Sequence, residues 1–235
     1  MGLGWGWFSG VAGDNQPHAH HAIQILLAAS PQSIWTSETG WISYTGMMIG
    51  ANVRHQLAPT REAVSLLYIE PDSDAGQVLS RRILGAISPL TPEEVRQARR
   101  RLDNLAEPAP DQSLVSVLAG TGHALPDRQR DDLIGQIVAA LPTPLPERLA
   151  ASELAGQARL SLSRFQHRFR AHTGMALRPY LRWRRLLHAM ATLMQGEAIT
   201  EAALAAGFCD AAHFTRTVRR HFGVPPRALS ALRDA

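Results

Sequence analysis

The chain has 235 residues, 45% of them hydrophobic, and 24 basic against 20 acidic side chains give a formal charge of +4. That is enough chain for two ordinary domains, each with its own core. No apolar run approaches the ~20 residues of a membrane span. The first eight residues lack both the basic start and the continuous apolar stretch of a signal peptide. The lone Cys209 has no partner for an internal disulfide. A cytoplasmic protein with no membrane partner is the expectation.

Charge is more informative by halves. Residues 1–125 carry 8 Arg and 11 acidic residues, whereas residues 126–235 carry 16 Arg and 9 acidic residues. There is no Lys, so every fixed cation is a guanidinium, the group that pairs bidentately with phosphate and with guanine edges. A basic half beside a faintly acidic one points to a polyanion-binding module attached to something else.

Residues 1–75 read as β structure. The runs Ala22–Ala29, Gln32–Thr36, Trp41–Tyr44, Met47–Gly50 and Val64–Glu70 are rich in Ile, Leu, Val, Trp and Tyr, with Gly, Pro, Asn and Asp between them. This is the pattern of a small sandwich or barrel. Trp5, Trp7, Trp35 and Trp41 are candidates either to line an apolar pocket or to fill the β core.

From Gly76 the pattern turns helical. Val78, Leu79, Ile83 and Ile87 fall near a 3.6-residue period over Gly76–Ile87. Thr91-Pro92-Glu93-Glu94 is a cap, a first-position Pro and first-turn acids, opening a helix to about Leu105. Glu107–Asp111 reads as a break, and two helices follow near Ser113–Leu118 and Asp127–Leu141. Residues 76–125 are taken as a helical segment coupling the β domain to residues 127–235.

The last part contains a repeat. At an offset of 49, Leu154–Arg178 overlies Ala203–Arg227: Ser161 meets Asp210, Phe165 meets Phe214, Gly174 meets Gly223 and Arg178 meets Arg227. Each copy reads as a short apolar helix, a turn, a capped basic amphipathic helix and a Gly stop, which is a helix-turn-helix written twice. In the first copy Glu147–Gln157 precedes the turn and Leu162–His172 follows it, with Leu162, Phe165 and Phe169 on the buried face. In the second, Ala211, Phe214 and Val218 face inward. A longer helix, about Pro179–Gln195, joins the copies.

A helix entering the major groove needs small or polar side chains on its leading face. Ser163, Gln166 and His167 in the first copy, and Ala212, His213, Thr215 and Arg216 in the second, are the candidate base readers. Arg164, Arg168, Arg170, Arg219 and Arg220 are the candidate phosphate contacts.

These residues carry a resemblance. Ser161 to Phe169, Gly174, Tyr180-Leu181, Arg185-Leu186 and Ala189, then Ile199, Ala203, Gly207-Phe208, Asp210, Phe214, Arg216, Gly223 and Pro226 resemble the AraC/XylS transcription-regulator domain from about Asp127 to Leu232. The resemblance implies two helix-turn-helix units on a linker helix, with recognition helices in successive major grooves. It implies Ser163, Gln166, His167, Ala212, His213 and Arg216 as the base-facing positions. Ala158 stands where the family has a turn Gly, His167 where it has Arg, and Ala202 where it has Ile.

His18-Ala19-His20-His21 with Gln24, and His55 farther on, resemble more weakly the sensor cupin that precedes this domain in many members. Metal-binding cupins use two His, a carboxylate and a later His. Gln24 stands at the carboxylate position, so no metal or other cofactor is expected. His18, His20, Gln24 and His55 remain candidates for a metal site, for the polar mouth of an effector pocket, or for ordinary surface histidines.

The resulting fold class is α+β: a small cupin-like β-barrel, then an all-α domain with two helix-turn-helix motifs on a linker helix. The implied function is a transcription regulator that binds double-stranded promoter DNA and answers to an unknown small-molecule effector. RNA polymerase and a second copy of the chain are candidate partners. The alternative is a metal-dependent cupin enzyme with an appended DNA-binding domain. No Ser/His/Asp arrangement, phosphate-binding Gly loop or CxxC supports catalysis, so no catalytic residue is assigned and a non-enzyme is expected.

Overall fold

The computed structural model describes residues 5–12, 15–103, 112–120 and 132–230. The proposed break at Glu107–Asp111 and the start of the Asp127 helix lie outside them. The described residues form two compact units, one from residues 1–126 with 218–235 and the other from residues 127–217.

The first unit is built on strand β2 (Ile23–Thr36), which pairs on both sides. Two separate runs were expected here. They form one strand whose register against β3 (Gly40–Ile49) shifts between Leu27 and Gln32. Pro31 falls within that irregularity, where the ladder does not need its missing N–H. β3 likewise unites the Trp41–Tyr44 and Met47–Gly50 runs. With β1 (Trp5–Val11), β4 (His55–Leu57), β5 (Ala63–Ile69) and β6 (Ile87–Pro89), the antiparallel sheet runs β1-β5-β2-β3-β6, with β4 also paired to β2. The α+β class holds, but among the described residues the sheet is open rather than closed into a barrel.

Strand alternation divides the core. Ile23, Ile25 and Leu27 pack on one face with Val78, Leu79, Val95, Ala98, Leu114 and Leu118 of α1 (Asp74–Arg82), α2 (Pro92–Asp103) and α3 (Gln112–Ala119). Leu26, Ala28, Met47, Ile49, Val64 and Leu66 fill the other. Helices α1, α2 and α3 thus share a core with the sheet. The helix expected over Gly76–Ile87 stops at Arg82, because Ile87 is taken into β6 opposite Ile49. Ser73 caps α1 by accepting from Gly76 N at 3.0 Å, and a Cβ at Gly76 would lie 1.9 Å from Glu70 O, so only glycine fits. Thr91 and Glu94 form a reciprocal cap on α2. Arg82 then grips both oxygens of Glu94 at 2.7 and 2.8 Å and donates to Leu118 O at 2.7 Å, tying the three helices together.

The tryptophans expected to line a pocket or fill the β core are Trp5, Trp7 and Trp35, each half-buried, and Trp41, which is 55% exposed. The large indole that is fully buried is Trp183, in the other unit.

That unit holds α4 (Asp132–Ala139), α5 (Ala151–Gln157), α6 (Leu162–Thr173), α7 (Leu177–Met194), α8 (Ile199–Ala205) and the start of α9 (Ala211–Phe222). Ile134, Leu154, Phe165, Phe169, Tyr180 and Leu181 form one core. Around the second copy Leu186, Met190, Ala203, Phe208 and Phe214 are buried. The segment from Glu147 is not yet helical; α5 begins after Ala150, whose N–H is taken by the Glu153 carboxylate. Leu162, expected in the buried face, is 46% exposed, and Ala211 is half-buried. The last turn of α9 and α10 (Pro226–Ser230) belong to the first unit.

Candidate functional site

Each recognition helix is set by its own cap and stop. Ser161 Oγ accepts from Arg164 N at 3.3 Å, and Asp210 Oδ1 accepts from His213 N at 2.6 Å. Gly174 at φ 75° and Gly223 at φ 73° take the left-handed stop, each donating its N–H to a carbonyl four residues back. Phe165, Phe169, Phe214 and Val218 are fully buried, which fixes the opposite faces outward.

On α6, Ser163, Gln166 and His167 are exposed, with Arg164 and Arg170 beside them; Arg168 is half-buried. On α9, Ala212, His213 and Arg216 are exposed, as are Arg219 and Arg220. Thr215 is only half-buried, set back from the leading face, and the His213 ring leans edge-on against Phe208 at 5.3 Å. Exposed short polar groups flanked by guanidinium groups can meet base edges and phosphates. Helix α7, 18 residues long, spans about 27 Å at 1.5 Å per residue.

The two copies are not in one register. α5 and α8 begin at residues 151 and 199, an offset of 48, whereas α6 and α9 begin at 162 and 211, an offset of 49. The second turn is therefore one residue longer. Its left-handed residue is Gly207, φ 79°, and the residue in that place in the first copy is Arg159, φ 51°. Both donate to a carbonyl three residues back, and the next residue bonds five back: Leu160 to Ala155 O, Phe208 to Ala203 O. Ala158 is thus not a substitute for the turn glycine; it matches Ala206, and Arg159 carries the turn.

Arg185, on α7, was noted only as part of the resemblance. Its Nη2 donates to Pro146 O at 2.8 Å and Glu147 O at 3.0 Å, and its Nε lies 3.3 Å from where a Gly207 Cβ would sit. It braces the approach to α5 against the second turn, so it is a scaffold arginine. Nothing in its type or spacing distinguishes it from its neighbours Arg182 and Arg184.

In the first unit His18, His20, Gln24 and His55 come together, buried to 6%, 2%, 2% and 0% exposure. They are neither surface histidines nor the open mouth of a pocket, because the strands carry them inward. His18 and His55 pair backbone to backbone, and Gln24 projects from β2 to the sheet face that holds Tyr68. One ring nitrogen from each histidine lies within 4.8 Å of the others. Burial lowers all three pKa values, that of His20 to about 4, so the rings are neutral near pH 7. Tyr68 and Phe222 pack on His20 with ring centroids 5.2 and 6.0 Å away, and Gln16 N donates to Gly223 O at 3.2 Å.

Residues 154–231 match a family model described as a helix-turn-helix domain. The transcriptional activator RhaS of Escherichia fergusonii is 31% identical over 110 residues, covering 46% of this chain and 40% of that protein. RhaS of Salmonella arizonae is 33% identical over 106 residues, 45% and 38% of the two chains. The chain thus matches about two-fifths of the length of these curated relatives. In fold it is similar to ToxT of Vibrio cholerae, with a TM-score of 0.61 and 11% identity over 97% of this chain and 98% of that one. The doubled motif and its linker helix thus coincide with the stretch, residues 154–231, that matches the helix-turn-helix domain family.

Proposed function

We propose that the protein is a sequence-specific transcription regulator that grips one DNA duplex with α6 and α9. The observation that carries this is the pair of recognition helices, each capped, each with a buried aromatic face and an exposed polar face flanked by arginine. Ser163, Gln166, His167, Ala212, His213 and Arg216 read bases, Thr215 assists from the edge, and Arg164, Arg168, Arg170, Arg219 and Arg220 hold phosphates. A linker about 27 Å long suits two helices about one DNA turn (~34 Å) apart on one duplex face.

Residues 1–75 serve as the sensing and dimerisation domain, and residues 76–125 as the coupling segment. ToxT, similar in fold, has been solved with an unsaturated fatty acid bound; here an effector acts by favouring one arrangement of the protein. RNA polymerase and a second copy of the chain are partners consistent with this reading, as is a cytoplasmic location. Among the described residues no helix is long and apolar enough to cross a membrane. The enclosure of the histidines favours holding a ligand over turning over a substrate, so the enzymatic alternative is set aside.

Selection of bound sequences from a random duplex pool, followed by affinity measured across a salt series, tests the reading. A defined motif and an affinity falling steeply with salt are expected. No enrichment, or affinity indifferent to salt, would overturn it.

A further inference from the structure

We propose that His18, His20, His55 and Gln24 form a binding site for one divalent transition-metal ion, held by three imidazole Nε2 atoms and the Gln24 amide oxygen. Three observations lead there.

The first is the tautomer. Each Nδ1 lies against a main-chain carbonyl: His18 on Gln16 O at 2.8 Å, His20 on Ala22 O at 2.8 Å, His55 on Val53 O at 2.9 Å. A carbonyl only accepts, so each Nδ1 carries the proton and donates it. In a neutral ring Nε2 is then left with a lone pair. An Nδ1–H held by a carbonyl is the usual outer-shell support of a metal-ligating histidine.

The second is the conflict this creates. Gln24 Oε1 lies 2.9 Å from His20 Nε2 and 3.0 Å from His55 Nε2. An amide oxygen facing two ring lone pairs is three acceptors with no donor between them. Turning the amide over would let its NH2 serve His20 and His55, but it has no third donor for His18. Protonating the rings is opposed by burial and by their mutual repulsion. A single cation satisfies all four atoms at once.

The third is the donor set. Three imidazoles and one neutral oxygen suit Zn²⁺, Co²⁺, Ni²⁺ or Fe²⁺ rather than Ca²⁺ or Mg²⁺. Ligand nitrogens within 4.8 Å of one another need close by roughly 1.5 Å at most to reach the ~3.3 Å edge of a tetrahedron with ~2.0–2.1 Å bonds. On sequence alone Gln24 in the carboxylate position argues against a metal. The geometry reverses that weight, because a carbonyl oxygen is also a ligand and this one already points at the shared centre.

The test uses the full-length chain, stripped with chelator and titrated with Co²⁺ and with Zn²⁺. One equivalent bound, visible absorption of the tetrahedral Co²⁺ type and a raised melting temperature are expected. His20→Ala and His55→Ala should each weaken binding by about 100-fold or more. Should either variant fail to fold by circular dichroism, Gln24→Glu and Gln24→Leu decide. The first should tighten binding about tenfold by adding a charge, and the second should weaken it. Failure of the folded chain to bind stoichiometric metal, or equal affinity in wild type, Gln24→Glu and Gln24→Leu, overturns the assignment.

Discussion

Arg159, at φ 51°, holds in the first helix-turn-helix the left-handed position that Gly207, at φ 79°, holds in the second. A side chain in that region costs roughly 1–2 kcal/mol, while glycine gives back about 0.5–1 kcal/mol of unfolded-chain entropy. Arg159→Gly should therefore stabilise the protein by about 0.5 kcal/mol. Gly207→Ala should destabilise it by about 1 kcal/mol or more, since its Cβ would also press on Arg185 at 3.3 Å. Denaturant midpoints of the full chain measure both; a loss of stability on Arg159→Gly, or no loss on Gly207→Ala, would show the turns to be unlike.

Arg216→Ala should lower affinity by ~1–3 kcal/mol and relax preference at one base position. Arg219→Ala should weaken binding to all sequences alike and reduce the salt slope by about 1. Competition binding with single-base variants of the selected site distinguishes the two; uniform loss for Arg216→Ala would place it on a phosphate.

Arg185→Ala should destabilise the helix-turn-helix unit by about 2 kcal/mol, because Pro146 O and Glu147 O lose a charged donor. Its effect on DNA affinity at low temperature, where the chain remains folded, should be small. Thermal melts paired with binding assays check this, and a large affinity loss at unchanged stability would make Arg185 a DNA contact.

Glu94 gives a pH dependence. The Arg82 guanidinium, hydrogen-bonded to its carboxylate, holds its pKa below the usual 4.5 despite partial burial. A depressed acid contributes stability that is complete above the unfolded-state value and lost as pH falls through the folded one. Arg82→Ala should cost about 2 kcal/mol at pH 7, and the gap from wild type should narrow below about pH 4.5. Urea midpoints across that range provide the check.

The recognition helices were legible because cap, aromatic period and Gly stop all repeat in the same register. The turns before them were not: α5 and α8 are seven residues each and rich in alanine, so they offer few landmarks against which a one-residue shift would show. An arginine gives no sign that its backbone is left-handed. In the sheet, Ser30-Pro31 read as punctuation because local composition cannot distinguish a strand end from an irregularity inside one. Ile83 and Ile87 fit a helical period, but Ile87 is claimed by a non-local pairing with Ile49. The four polar residues of the histidine cluster were legible as a group, whereas their burial and the direction of each Nδ1 depend on contacts far away in the chain.

The helix stops at Gly174 and Gly223 look interchangeable in the repeat, yet the residues before them have taken separate paths. Thr173 closes α6 upon itself, bonding Phe169 O and Met175 O. Phe222, its counterpart, ends α9 in an aromatic group packed on Tyr68 and His20, and a Cβ on Gly223 would lie 2.6 Å from Gln16 O. The first motif could thus be lifted out with its end already sealed. The second is cut to fit the amino-terminal sheet, so the two halves of this tandem are no longer exchangeable parts.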